Sequence, residues 1–125
     1  VSFLSIQKGP SEGDVARPPP GMNIISLSPE ISDFEDTAAI LTVADLLISV
    51  DSSPVHLAGA LGRPAWVMLP FLPDWRWLLN REDTPWYPSV RLFRQPSWGD
   101  WQGLLQGMAK ALAQLRAAGP TGKRP

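Results

Sequence analysis

The sequence predicts an α/β fold: a Rossmann-like open parallel sheet of about five strands, in the order 2-1-3-4-5, flanked by helices. Three observations predict it. Short apolar segments alternate along the chain with segments of helical spacing, the pattern of parallel strands joined by crossover helices. Two of the apolar segments, LLISV at 46–50 and AWVML at 65–69, are almost wholly hydrophobic, as central strands covered on both faces are. The length of 125 residues, with 44% hydrophobic and 18% charged residues, suits one compact domain and argues against disorder.

Each element follows from its residues. SFLSIQ, at 2–7, sets Phe3, Leu4 and Ile6 among small polar residues and stops at Lys8-Gly9-Pro10, which reads as a strand and its breaker. The next stretch, 11–21, is rich in proline and glycine and has room for one helical turn at most. NIISL, at 23–27, is a second short strand ended by Ser28-Pro29. Ser32 and Glu35 have the spacing of a capping box, and Phe34, Ala38, Leu41 and Ala44 recur behind them at helical spacing, so Asp33 to Ala44 reads as a helix. After the third strand, 46–50, Asp51-Ser52-Ser53-Pro54 opens another helix, with Ser53 as its cap and Pro54 at the first helical position. That helix stops at Gly62, and 65–69 is the fourth strand. A tryptophan-rich connection with a short helix over 74–80 leads to a last strand at 90–93. Asp100 then caps an amphipathic helix carrying Trp101, Leu104, Leu105, Met108, Leu112 and Leu115, with Trp101 expected in the core.

Composition removes several functions. Eleven basic against twelve acidic side chains give a net charge of −1, which takes away the electrostatic case for a nucleic-acid binder or a polybasic membrane module. There are no cysteines, so disulfide scaffolds, zinc fingers and thiol chemistry are out. The single histidine cannot build a His-rich metal site, and no metal site is expected. The longest apolar runs fall well short of the roughly 20 residues that span a bilayer. The chain begins at Val1 on a core-like strand, which reads as a piece of a longer protein, and Gly119, Pro120 and the residues after them read as a tail or the start of a linker.

Three places can carry chemistry. The first is the stretch 51–62, Asp51-Ser52 followed by SPVHLAGALG, where a buried strand runs directly into a helix whose opening turn holds two hydroxyls and an imidazole. First-turn amides lack intrahelical partners and the macrodipole places partial positive charge there, so most helices put a carboxylate in that turn. Here Ser52, Ser53 and His56 stand in its place, which fits a bound anion. The same spacing equally fits a plain serine cap followed by a neutral, partly buried histidine. The second place is Lys8, just beyond the first strand, where open α/β sheets bind ligands; a solvated surface lysine is the ordinary alternative. The third is the block from Pro70 to Trp77 and on through Pro85-Trp86-Tyr87-Pro88, with five of the six tryptophans lying between Trp75 and Trp101. Its rings can stack on a base or sugar, with Arg76 and Arg81 adding charge, or can simply close the loop layer over the sheet. Asp33, Glu35 and Asp36 form an acidic helix start best explained by capping.

The order SIQKG, DFEDTAA, LLISVD running into SSPVHLAGALGRPAWVMLP, and PDWRWLLNREDTPWYPSVRLFRQ resembles the C-terminal glycosyltransferase region of bacterial tetratricopeptide-repeat proteins, related to the family 9 glycosyltransferases that include the lipopolysaccharide heptosyltransferases. The resemblance covers about nine-tenths of the chain. It implies the donor-binding half of a GT-B enzyme over residues 1–117, with 118–125 a flexible tail. It implies that Lys8, Ser52, Ser53 and His56 contact the diphosphate of a nucleotide-sugar donor, that Asp51 orients their turn, that Asp36 and Thr37 lie near the nucleoside, and that Trp75 and Arg76 line the cleft. The general base is expected in the absent half, and no cofactor is implied beyond the donor substrate. The implied partners are the nucleotide sugar, the missing N-terminal half and tetratricopeptide repeats of the same chain, with no nucleic acid, in the cytoplasm. Two departures stand out: Ser53 replaces a glycine frequent in heptosyltransferases, and the connection from Lys8 to Asn23 is short and proline-rich. The alternative is a non-catalytic nucleotide-binding or protein-interaction module attached to such repeats.

Overall fold

A computed structural model describes residues 2–8, 16–18, 20–79 and 81–118 of the chain. It is an α/β protein with parallel strands and three α-helices, consistent with a Rossmann-like fold. In chain order these are β1 (Phe3–Ser5), β2 (Ile24–Ser26), α1 (Phe34–Val43), β3 (Leu47–Val50), α2 (Ser53–Ala60), β4 (Ala65–Leu69), β5 (Val90–Arg94) and α3 (Trp101–Ala117). The strand count, the parallel direction and the neighbour relations within each ladder follow the sequence. The hydrogen bonding, however, runs in two ladders, β1-β2 and β3-β4-β5, and not as one continuous five-stranded ladder. The chain divides into two compact units, Val1–Ile40 and Leu41–Pro125. Most of the proline-rich stretch at 11–21 and residues 119–125 of the expected tail lie outside the described residues.

In the first unit, Phe3 pairs with Ile24 and Ser5 with Ser26, and the Leu27 amide donates to the Ser5 carbonyl at 2.8 Å. A single 3-10 turn, Ser28–Glu30, follows β2. Its buried Ser28 ties the turn to the end of β1: the hydroxyl donates to the Gln7 carbonyl, and the Lys8 ammonium donates to the Ser28 carbonyl at 3.0 Å. The cap of α1 is one residue later than the capping-box spacing of Ser32 and Glu35 indicated. The Asp36 amide donates to Asp33 Oδ1 at 3.1 Å, and Asp36 Oδ2 accepts from the Ser32 amide at 2.7 Å. Two aspartates thus cap reciprocally, because a carboxylate accepts from an amide more strongly than a hydroxyl does. Phe34, at the start of α1, is 61% exposed, while Thr37 is buried.

In the second unit the period of two along each strand sorts side chains between two helices. Trp66 and Met68 of β4, Ile48 of β3 and Phe93 of β5 pack with Leu104, Met108, Ala111 and Leu112 of α3. Ala65, Val67 and Leu69 take the opposite direction and are fully buried, on the side where α2 buries Val55, Ala58 and Gly59. Both faces are therefore covered, which is what the apolar runs required. Trp101 departs from expectation. The buried stripe of α3 runs through Leu104, Met108 and Ala111, and Trp101, in the opening turn, is 42% exposed.

Gln95, buried just past β5, joins two loops with one oxygen: its Oε1 accepts from the amides of Phe71 and Gly99, each at 3.0 Å. Asp100 caps α3 as expected, accepting from the Gly103 amide at 2.8 Å. Asp100→Ala is expected to lower stability by about 1 kcal/mol in urea titrations, the usual loss for an N-cap carboxylate.

Candidate functional site

The site grows from the end of β3. Asp51 leaves the strand, and α2 begins one residue earlier than the sequence indicated: Ser52 is its N-cap, Ser53 its first residue and Pro54 its second. Neither serine caps in the usual manner. The Ser52 hydroxyl donates back to the Val50 carbonyl at 3.1 Å and lies 2.9 Å from the Ser49 hydroxyl, and no side chain caps the helix. No acidic residue stands in its first turn. The amides of this first turn are therefore taken up by no side chain, and the partial positive charge of the helix end lies beside them.

His56, half-buried in α2, is the hub. Its Nδ1 lies 3.1 Å from the Tyr87 hydroxyl. Its Nε2 lies 3.3 Å from Asp51 Oδ1 and 3.3 Å from Arg76 Nη1. The ring stacks on Trp77, with centroids 5.6 Å apart and planes inclined by 26°. Trp77 is fully buried and so gives the imidazole a rigid floor. His56, Trp75, Arg76, Trp86 and Tyr87 line an open groove of about 400 Å³.

The loop that supplies four of these five residues has little regular structure, so its polar groups find partners individually. Asp74 opens a 3-10 turn, Trp75–Trp77, accepting from the Arg76 amide at 3.0 Å and from Arg76 Nε at 3.2 Å. That backbone hydrogen bond, together with the guanidinium beside it, holds the Asp74 carboxyl below the usual carboxylate range. The anchor is thus in force at neutral pH and is lost only as the pH falls through that lowered value. The indole of Trp86 donates to the Arg76 carbonyl at 2.7 Å. From β5, Arg94 donates to the carbonyls of Trp77 at 2.6 Å and Arg81 at 2.8 Å, and the Leu92 amide donates to the Glu82 carbonyl. Partial burial, and then the charge of Arg81, push the Arg94 guanidinium below its ordinary value.

Of the residues singled out in the sequence, Asp51, His56 and Arg76 meet at one ring nitrogen, and Trp75 stands beside them in the groove. Ser52 and Ser53 sit at the adjoining helix start. Lys8, Asp36 and Thr37 belong to the first unit, where Lys8 holds a carbonyl and Asp36 caps α1. Arg81 does not line the His56 groove: it pairs with Asp83 at 2.6 Å beside a separate hollow of about 390 Å³.

Tyr87 was legible only as one aromatic among several, yet it is fitted to α2 by a glycine. A Cβ on Gly59 would lie 2.4 Å from the Tyr87 ring. The small residues of α2, which suggested close packing on the sheet, therefore also make the seat for this ring. Gly59→Ala should cost about 2 kcal/mol, as overpacking does, and should displace Tyr87 from His56; urea titration and loss of the Tyr87 to His56 nuclear Overhauser contacts check it. Leu78, directly after the 3-10 turn, holds φ 59° and ψ −163°, a conformation natural to glycine alone. With Leu78 44% exposed, Leu78→Gly is expected to raise stability by about 0.5–1 kcal/mol, relief of strain outweighing glycine's added chain entropy. Urea titration checks this as well.

Among the described residues no cluster of three or more histidine, cysteine, aspartate or glutamate side chains is positioned to hold a metal ion, and no helix is long and apolar enough to cross a membrane. Comparison with known proteins gives one relative and one family. The chain is 33% identical over 122 residues to Protein FlbA of Caulobacter vibrioides; the match takes in 94% of this chain and 20% of FlbA, so the chain spans about one fifth of that relative's length. No solved structure matches it. The profile of glycosyltransferase family 9 (heptosyltransferase) matches residues 3–67, a span that holds Lys8, Asp36, Thr37, Asp51, Ser52, Ser53 and His56 and ends before the tryptophan-rich loop. As that match takes in just over half of its 125 residues, the chain belongs to glycosyltransferase family 9.

Proposed function

We propose that this chain is the nucleotide-sugar-binding part of a glycosyltransferase that moves a sugar from a nucleotide-diphosphate donor to an acceptor. The observation that carries the reading is the helix start beyond β3, with no acidic residue in its first turn and no side-chain cap, beside a groove holding His56 and Arg76. Parallel sheets bind their ligands beyond the carboxyl ends of strands, and a helix N-terminus suits a phosphate. In this reading the diphosphate takes hydrogen bonds from Ser52, Ser53 and His56, and Asp51 fixes the turn that presents them. Trp75 and Trp86, 77% and 55% exposed, offer ring faces to the base or sugar.

The chemistry is a displacement at the anomeric carbon in which the diphosphate leaves with the bonding electron pair. Cationic side chains and helix amides stabilise the charge on that leaving group, with no metal ion required. The base that deprotonates the acceptor comes from the other half of a GT-B pair, and tetratricopeptide repeats belong to the same parent chain. The parent protein works in the cytoplasm.

A second reading, a non-catalytic docking module, draws on one observation: Trp98, outside the groove, is 73% exposed. Calorimetric titration of UDP, ADP and GDP into the folded chain separates the two. At least one diphosphate is expected to bind, with His56→Ala weakening it about tenfold, the loss of one hydrogen bond to a charged group. A folded chain that binds none of the three at millimolar concentration removes the donor-site reading and leaves the docking module.

A further inference from the structure

His56 Nε2 faces two partners with opposite requirements. Asp51 Oδ1, at 3.3 Å, needs a proton on that nitrogen; Arg76 Nη1, also at 3.3 Å, needs a lone pair there. A neutral imidazole nitrogen has one or the other. With the proton on Nε2 the ring donates to Asp51 and meets the guanidinium N–H head-on. With the proton on Nδ1 the ring accepts from Arg76 and sets a lone pair against the carboxylate. Both contacts are long for charge-assisted hydrogen bonds, as two competing partners on one atom would leave them. At the other nitrogen, the Tyr87 hydroxyl at 3.1 Å either donates or accepts, and so serves both states. Trp77 beneath the ring and Tyr87 seated against Gly59 keep the ring in place while the proton changes position.

We propose that Arg76 is an anion-contacting residue of this site and that its engagement is transmitted to His56 as a change of tautomer. Arg76 is held near the ring by its Nε bond to Asp74, at 3.2 Å, while Nη1 reaches His56. A phosphate oxygen is a stronger acceptor for a guanidinium than a neutral imidazole is. When Arg76 turns its N–H groups to the anion, Nε2 loses the donor that favoured its lone pair. Nδ1 then gives up a proton, Nε2 gains one, and Tyr87 changes from acceptor to donor. The proton on Nε2 becomes available to Asp51 or to the anion itself. The identity of the anion as a diphosphate rests on the proposed function; the competition between Asp51 and Arg76 does not.

His56 is the only histidine in the chain, so every imidazole signal in a long-range ¹H–¹⁵N spectrum belongs to it. The ¹⁵N shifts of the two ring nitrogens distinguish both neutral tautomers from the imidazolium, and only spectra of the neutral ring are compared. Without any ligand, Arg76→Ala should move the tautomer ratio toward Nε2–H by about tenfold, and Asp51→Ala should move it toward Nδ1–H by a similar factor. Inorganic pyrophosphate added to the unsubstituted chain should shift the ratio in the direction of Arg76→Ala, and should leave it unmoved in Arg76→Ala. Amide spectra report folding of each variant. If the two ligand-free variants leave the ratio unchanged, or move it the same way, the competition at Nε2 is wrong whatever the chain binds. A nucleoside diphosphate or pyrophosphate that binds without moving the ratio overturns the role of Arg76 alone. No binding by any diphosphate overturns that role together with the donor-site reading.

Discussion

A loop without regular structure must find donors for its carbonyls one at a time, and in this chain Arg94 provides two of them. Its guanidinium reaches from β5 to the carbonyls of Trp77 and Arg81. The first of these bonds pins the end of the turn that carries Trp75 and Arg76 in the groove and Trp77 beneath His56. Trp86 adds a third donor, at the Arg76 carbonyl. The geometry at His56 is thus a consequence of how the backbone nearby is satisfied. Partial burial holds the Arg94 guanidinium below its ordinary pKa, the mark of a charge withdrawn from water to reach these two carbonyls.

Such an arrangement separates two tasks that the sequence presents together. The helix start beyond β3 has its polarity from the backbone, through amides and dipole, and needs no particular side chain to be positive. The groove beside it is shaped by side chains from a distant stretch: Arg76, Trp86 and Tyr87. The family profile ends at residue 67, before that stretch begins. The part of the site shared with the family and the part supplied by the tryptophan-rich loop are therefore contiguous in space and consecutive in sequence.

How much could be read in advance depends on the range of the interaction. Strands β3 and β4 were legible because burial on both faces leaves an apolar run, and the Asp100 cap because it acts within three residues. The α1 cap was misplaced by one residue because two carboxylates compete better than the serine–glutamate pair that shares their spacing. Trp101 was expected inside because periodicity identifies a stripe but not where the covering sheet stops. At the site, His56 and its helix start were visible from residue types alone. The ambiguity between anion site and ordinary capped helix was real, and the structure shows why: the Ser52 hydroxyl turns back toward β3, which no spacing rule reveals. Tyr87 and the stacking of Trp77 were out of reach, since each depends on a contact more than twenty residues away along the chain.

The glycine beneath Tyr87 has a consequence for how such a chain changes over time. Gly59 sits in the last turn of α2, where almost any other residue would favour the helix more, and it is tolerated because an aromatic ring from a remote loop occupies the volume of its missing side chain. Neither position can drift alone. A larger residue at 59 expels the ring, and a smaller residue at 87 leaves a void against the helix. The two sites form an epistatic pair, so a substitution at one is accepted only on a background already altered at the other, and the loop and the helix are inherited as one unit.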